Sequence, residues 1–155
     1  MPNLWHYRKR FKEKGYLMKA ISIKPHYAHQ ILCGTKTTEY RTWQTKYRGD
    51  LLICSSATPK EKGTISGHAL IVCRLNDIEP LSKRELKEIG VDESPEKPIY
   101  GWRLTDFRTI KPFPVKGKLN LYEVDDNLIE YIDDKQMTDK ELDEVFKKYF
   151  KPLFD

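Results

Sequence analysis

Residues 34–49, GTKTTEYRTWQTKYRG, set four cations and one carboxylate among three aromatic rings, between two glycines. Cations neutralise phosphates and flat rings receive unstacked bases, so this mixture fits single-stranded nucleic acid. Lys24, Lys36, Arg41, Lys46 and Arg48 are the phosphate candidates; Trp43 is the first stacking candidate, with Tyr27 and Trp102 behind it. Glu39 has two readings. It can hold the Arg41 guanidinium by charge-assisted hydrogen bonds. It can instead accept from a base edge or move a proton, with Lys36 as its partner in a desolvated cleft.

Other chemistry is poorly supplied. His26, His29 and Cys33 fall on one short segment, but no Cys-x-x-Cys and no second His cluster completes a tetrahedral zinc site. The chain has no Gly-x-x-x-x-Gly-Lys-Ser/Thr phosphate loop, no Gly-x-Gly-x-x-Gly and no zinc-deaminase signature. No metal and no cofactor are expected. Ser55 and Ser56 end an apolar run and could line a cleft, and Ser55 is kept as a binding candidate. Cys54 and Cys73 lie inside apolar runs and read as core thiols, and the three cysteines as reduced.

The chain's 155 residues suit one domain with a short appendage. Its charge is polarised: residues 1–48 hold 11 Lys and Arg against 2 acids, whereas residues 123–155 hold 5 against 11. The basic half points to a polyanion, and the acidic end to a solvated face or a protein partner. No apolar run approaches the ~20 residues that span a bilayer, and no secretory signal opens the chain, so a cytoplasmic protein is expected.

The elements that must position these groups alternate along the chain. Leu17–Ile23 reads as a strand, and Pro25 with Gly34 brackets a helix over 25–33. Thr37–Trp43 reads as a strand whose alternation puts Glu39, Arg41 and Trp43 on one side. Strands follow at Asp50–Ser56 and at Gly67–Asn76, the latter with Ala69, Ile71 and Cys73 on one side. SKRE at Ser82 is a capping box opening a helix that ends near Gly90. Residues 91–98 form a polar loop. Ile99–Ile110, bent at Gly101, and Lys118–Val124 are further strands. TDKE at Thr138 caps a terminal helix with Leu142, Val145, Phe146, Tyr149 and Phe150 as its apolar stripe. Six strands with inserted helices make an α+β fold, a mixed antiparallel sheet or small barrel.

The run Ser22–Ala57 resembles the first half of an ASCH domain, the activating signal cointegrator homology domain of the PUA-like superfamily. Gly34, Lys36, Glu39 and Arg41 match its G-x-K-x-x-E-x-R signature, followed by Trp43 and the Arg48–Gly49 turn. GWRL at Gly101 and VKGKLNLYEV at Val115 are similar to the family's closing strands. The resemblance covers residues 18–125. It implies a small five- or six-stranded β-barrel with a cleft between the first helix and the motif loop, and binding of RNA or other nucleic acid. Some small PUA-like relatives hydrolyse acetylated cytidine with a Lys, a Thr and a Glu. Their threonine stands where this chain has Glu39, with Thr37 and Thr38 adjacent.

Three functions therefore stand as expectations. The first is an RNA-binding module reading a single-stranded or modified segment around Gly34–Arg41. The second is a hydrolase on RNA or a modified nucleoside, with Lys36 and Glu39 as catalytic acid and base. The third is a protein-interaction domain using the acidic C-terminal helix. The expected organisation is a basic extension at 1–17, possessing little fixed structure, the domain over 18–125 and an acidic helical segment at 126–155 packed on it. A monomer that does not engage membranes is expected.

Overall fold

A computed structural model describes residues 16–91 and 95–155. The basic extension thus lies outside the described residues except for Tyr16 and Leu17, as do three residues of the polar loop. Strand β1 (Leu17–Ile23) leads into helix α1 (Pro25–Leu32), then β2 (Thr38–Arg41), β3 (Gly49–Ser55) and β4 (His68–Pro80). Helix α2 (Lys83–Glu88), β5 (Tyr100–Pro114), β6 (Tyr122–Asp125) and helix α3 (Asp139–Val145) complete the order.

The six strands form one mixed sheet in the order β2-β5-β4-β3-β1-β6, with β1 parallel to β3 and the other pairs antiparallel. The class is α+β. The sheet ends at β2 and β6 and does not close, so the barrel implied by the resemblance is open here.

Apolar residues fill both faces of the central strands. Ile21, Ile23, Leu51, Ile53 and Trp102 meet Ala28 and Ile31 of α1 on one face; Ala20, Leu52, Val72, Ile110 and Ile129 pack on the other. Period-two alternation produces this two-sided burial in β3. In β4 the alternation breaks. Ala69 packs on the opposite face from Ile71 and Cys73, because the pairing with β5 shifts between Ala69 and Ile71. Burial pushes the Cys54 thiol up to about 11 and that of Cys73 to about 12, which keeps both protonated.

Both capping boxes form, at Ser82 and at Thr138. After α3 the chain opens into a π-helical turn over Phe146–Phe150. The wider turn rotates the stripe: Phe150 is buried, Val145 and Tyr149 pack partly on the core, and Leu142 and Phe146 stay exposed.

Arg103 of β5 ties α2 to the sheet. Its guanidinium donates to both Glu85 carboxylate oxygens, at 2.7 and 3.0 Å, and to Glu79 at 2.9 Å. Hydrogen bonds from Arg103 hold the Glu85 carboxyl at about 2, below its ordinary 4.5. A depressed carboxyl stabilises the fold above its unfolded value and loses that contribution as pH falls toward the folded one. Arg103→Ala should therefore lower the urea midpoint at pH 7 and flatten its decline between pH 4.5 and 2. An unchanged acid limb would show that the pair contributes nothing.

Candidate nucleic-acid interface

Gly34 ends α1 with φ of 80°, a left-handed conformation suited to glycine. The amides of Thr35 and Lys36 then turn back onto the Gln30 carbonyl, at 2.9 and 3.2 Å, which folds the signature loop against α1. This brings Lys36 over the ring of Tyr40, 4.0 Å from its centroid, and 5.2 Å from that of Tyr27. Cations favour aromatic faces at such distances.

Strand β2 aligns Glu39 opposite Trp102 and places its carboxylate in a buried position, only 6% exposed. One oxygen, Oε1, accepts the Tyr40 amide at 2.8 Å and lies 4.0 Å from Lys36 Nζ. The other, Oε2, is 3.8 Å from Arg41 Nη2 and has no hydrogen-bond partner among the described residues. The Arg41 guanidinium is held instead by the Ser22 carbonyl, at 3.1 Å. Desolvation lowers the Lys36 pKa, Glu39 partly restores it, and Arg41 lowers it further.

Two hollows open on either side of this group. The first, of about 630 Å³, is lined by Tyr27, Gln30, residues 35–40 and Ile89. The second, of about 660 Å³, shares Tyr27, Glu39 and Tyr40 as a common wall and adds Ser22, Lys24, Arg41, Ser56, Thr58, Lys118 and Asn120.

Among the site candidates read from the sequence, Lys24, Tyr27, Lys36, Glu39 and Arg41 meet here, together with Ser56, one of the two serines expected to be able to line a cleft; Trp43, Lys46, Arg48, Ser55 and Trp102 do not. Trp102 is fully buried, its indole N–H donating to the Trp43 carbonyl at 3.3 Å, so no base can lie on it. Trp43 follows the end of β2 and packs edge-on against Trp102, ring centroids 4.8 Å apart, outside both hollows. Arg48 donates from Nη1 to the carbonyls of Thr45 and Tyr47, both at 2.8 Å, which fastens the loop before β3, and its Nη2 lies 3.8 Å from Asp77. Ser55 is buried and bonded to His68. Lys46 is exposed but lines neither hollow. Cys33 Sγ, at the C-cap of α1, lies 3.4 Å from His29 Nε2, and the described residues supply no third metal ligand.

The sequence reading missed Gln30, Thr58, Lys118 and Asn120. Lys118 and Asn120 carried a signal, the polar KGKLN turn, with nothing to say which face it would reach.

The family model of the ASCH domain matches residues 21–141. Among solved structures the chain is similar to the ASCH protein of Zymomonas mobilis, with TM-score 0.51 and 15% identity over 84% of this chain and 94% of that one. A tyrosine-to-phenylalanine mutant of that protein gives TM-score 0.51 at 14% identity, covering 84% of this chain and 97% of the mutant. Those likenesses concern the fold. No curated protein matches. Among the described residues, no helix is long and apolar enough to cross a membrane.

Proposed function

The chain belongs to the ASCH domain family, of the PUA-like group, and we propose that it binds RNA, seating a nucleotide of a single-stranded or modified segment beside Lys36, Glu39 and Arg41. The observation that carries this reading is the convergence of an ammonium, a guanidinium and a carboxylate on the wall between two open hollows. Cations there meet phosphate, Tyr27 offers a partly exposed ring, and Glu39 Oε2 has room for one hydrogen bond.

Two measurements test it. Affinity for short RNA should fall linearly with salt on logarithmic axes, with a slope of about −0.7 for each phosphate neutralised. Glu39→Gln should weaken binding of the preferred base by about 1–3 kcal/mol and flatten the preference among the four bases. Salt-insensitive binding would remove the phosphate contacts, and an equal loss for all four bases would remove Glu39 as the base reader.

A second reading, hydrolysis, rests on Lys36 lying 4.0 Å from Glu39 with a lowered pKa. Lys36 would act as general base once neutral and Glu39 would orient it or relay the proton. It predicts consumption of acetylated cytidine or shortening of RNA, abolished by Glu39→Gln. Purified protein without turnover on either would retire it.

A further inference from the structure

The two hollows share a wall but differ in charge. In the first, Lys36 is matched by Glu39, and the remaining lining is two tyrosine rings, the Ile89 side chain, threonines and the Gln30 amide, an uncharged set suited to the edge and face of a base. The second receives Lys24, Arg41 and Lys118 from three separate elements. Its one carboxylate, Glu39, already lies between Lys36 and Arg41.

The second hollow also holds uncommitted donors. Arg41 Nε and Ser56 Oγ are both buried and lack a hydrogen-bond partner among the described residues. Buried donors of this kind are normally matched by solvent or ligand. The fixing of Arg41 through Nη2 to the Ser22 carbonyl sets the direction of the guanidinium without using the rest of its donor fork.

Gly117 explains how Lys118 reaches this rim. A Cβ at position 117 would stand 2.6 Å from the Ser22 hydroxyl, so glycine lets the segment between β5 and β6 approach β1 without displacing that hydroxyl from its hydrogen bond with Tyr122. Lys118 is thereby carried to the mouth of the hollow, with Lys24 at the start of α1 as its counterpart.

Resting on the RNA reading, we propose that the second hollow is a phosphate subsite for the group flanking the nucleotide whose base fills the first. The ligand is accordingly a phosphorylated nucleotide or a strand, not a free nucleoside. Arg41 supplies a directional donor fork and the two lysines supply point charges. The strand crosses the wall formed by Tyr27, Glu39 and Tyr40.

The test uses the full chain with inorganic phosphate, the four nucleosides, their monophosphates and a short RNA. Inorganic phosphate should shift the amide resonances of Ser56, Ala57, Thr58 and Lys118 and leave those of Thr35 to Thr38 in place. Monophosphates should bind at least tenfold more tightly than nucleosides. Lys24→Ala with Lys118→Ala, both at exposed positions that the fold does not need, should erase that advantage, spare nucleoside binding and reduce the salt slope for RNA by about 1.4. Lys36-dependent RNA binding that ignores Lys24 and Lys118, with nucleosides and monophosphates bound alike, overturns the subsite and leaves the RNA reading standing. Absence of RNA binding altogether overturns both.

Discussion

A variant carrying Lys36→Ala, Arg41→Ala and Glu39→Gln is expected to fold and to lose about a hundredfold or more of the affinity for short RNA. Hydrogen bonds to charged groups contribute about 1.5–3 kcal/mol each, and two such losses reach that range. Glu39 has to change with its partners. Left as a carboxylate at 6% exposure, it would be a buried charge without a counter-ion, and removing one side of such a pair costs about 3–5 kcal/mol. The double variant lacking Glu39→Gln should therefore be less stable than the triple, while both lose RNA. The wild-type response to pH is the second signature. Desolvation depresses the Lys36 pKa, so its charge, and with it affinity, declines below the usual lysine range as pH rises. Lys36→Ala alone should bind more weakly and lack that decline. Calorimetric titration across pH would check both, and a triple variant that folds and binds as wild type would displace the site from these residues.

Proximity in sequence decided how much of this site could be read in advance. Lys36, Glu39 and Arg41 lie within one turn and one four-residue strand, so local geometry alone gathers them. Pro25 and Gly34 likewise mark helix α1 through their own backbone preferences. Trp43 escaped the same logic because β2 depends on its partner. Arg41 pairs with Tyr100, the first residue of β5, and beyond it the strand has nothing to pair with. Alternation therefore stops before Trp43. Arg48 misled for a different reason: a basic side chain in a tight loop satisfies itself on nearby carbonyls, which composition does not reveal. Ser56 and Lys118 share a hollow because β1 lies between β3 and β6, and that order belongs to the sheet as a whole.

Trp102→Ala is expected to destabilise the protein by about 3–5 kcal/mol, the cost of emptying a large buried site. Against total stabilities of about 5–15 kcal/mol, this is a substantial part of what holds a domain folded. The ring is fully buried in the core beneath α1, meets Trp43 edge-on at 4.8 Å and donates to the Trp43 carbonyl. Its loss removes packing and leaves that carbonyl without the indole N–H. Trp102 also stands opposite Glu39 across the β2–β5 pairing, so the same cavity loosens the strand that carries the carboxylate. Trp102→Phe separates the two consequences. It keeps most of the volume, loses only the N–H and part of the ring, and should bind RNA as wild type once the folded fraction is accounted for. Urea midpoints for both variants, with RNA titrations below the transition, make the comparison. A folded Trp102→Phe protein that no longer bound RNA would show the indole acting on the ligand and not only on the core. If the alanine variant lost little stability, the packing between β2, β5 and α1 could not be what fixes Glu39 in its buried position.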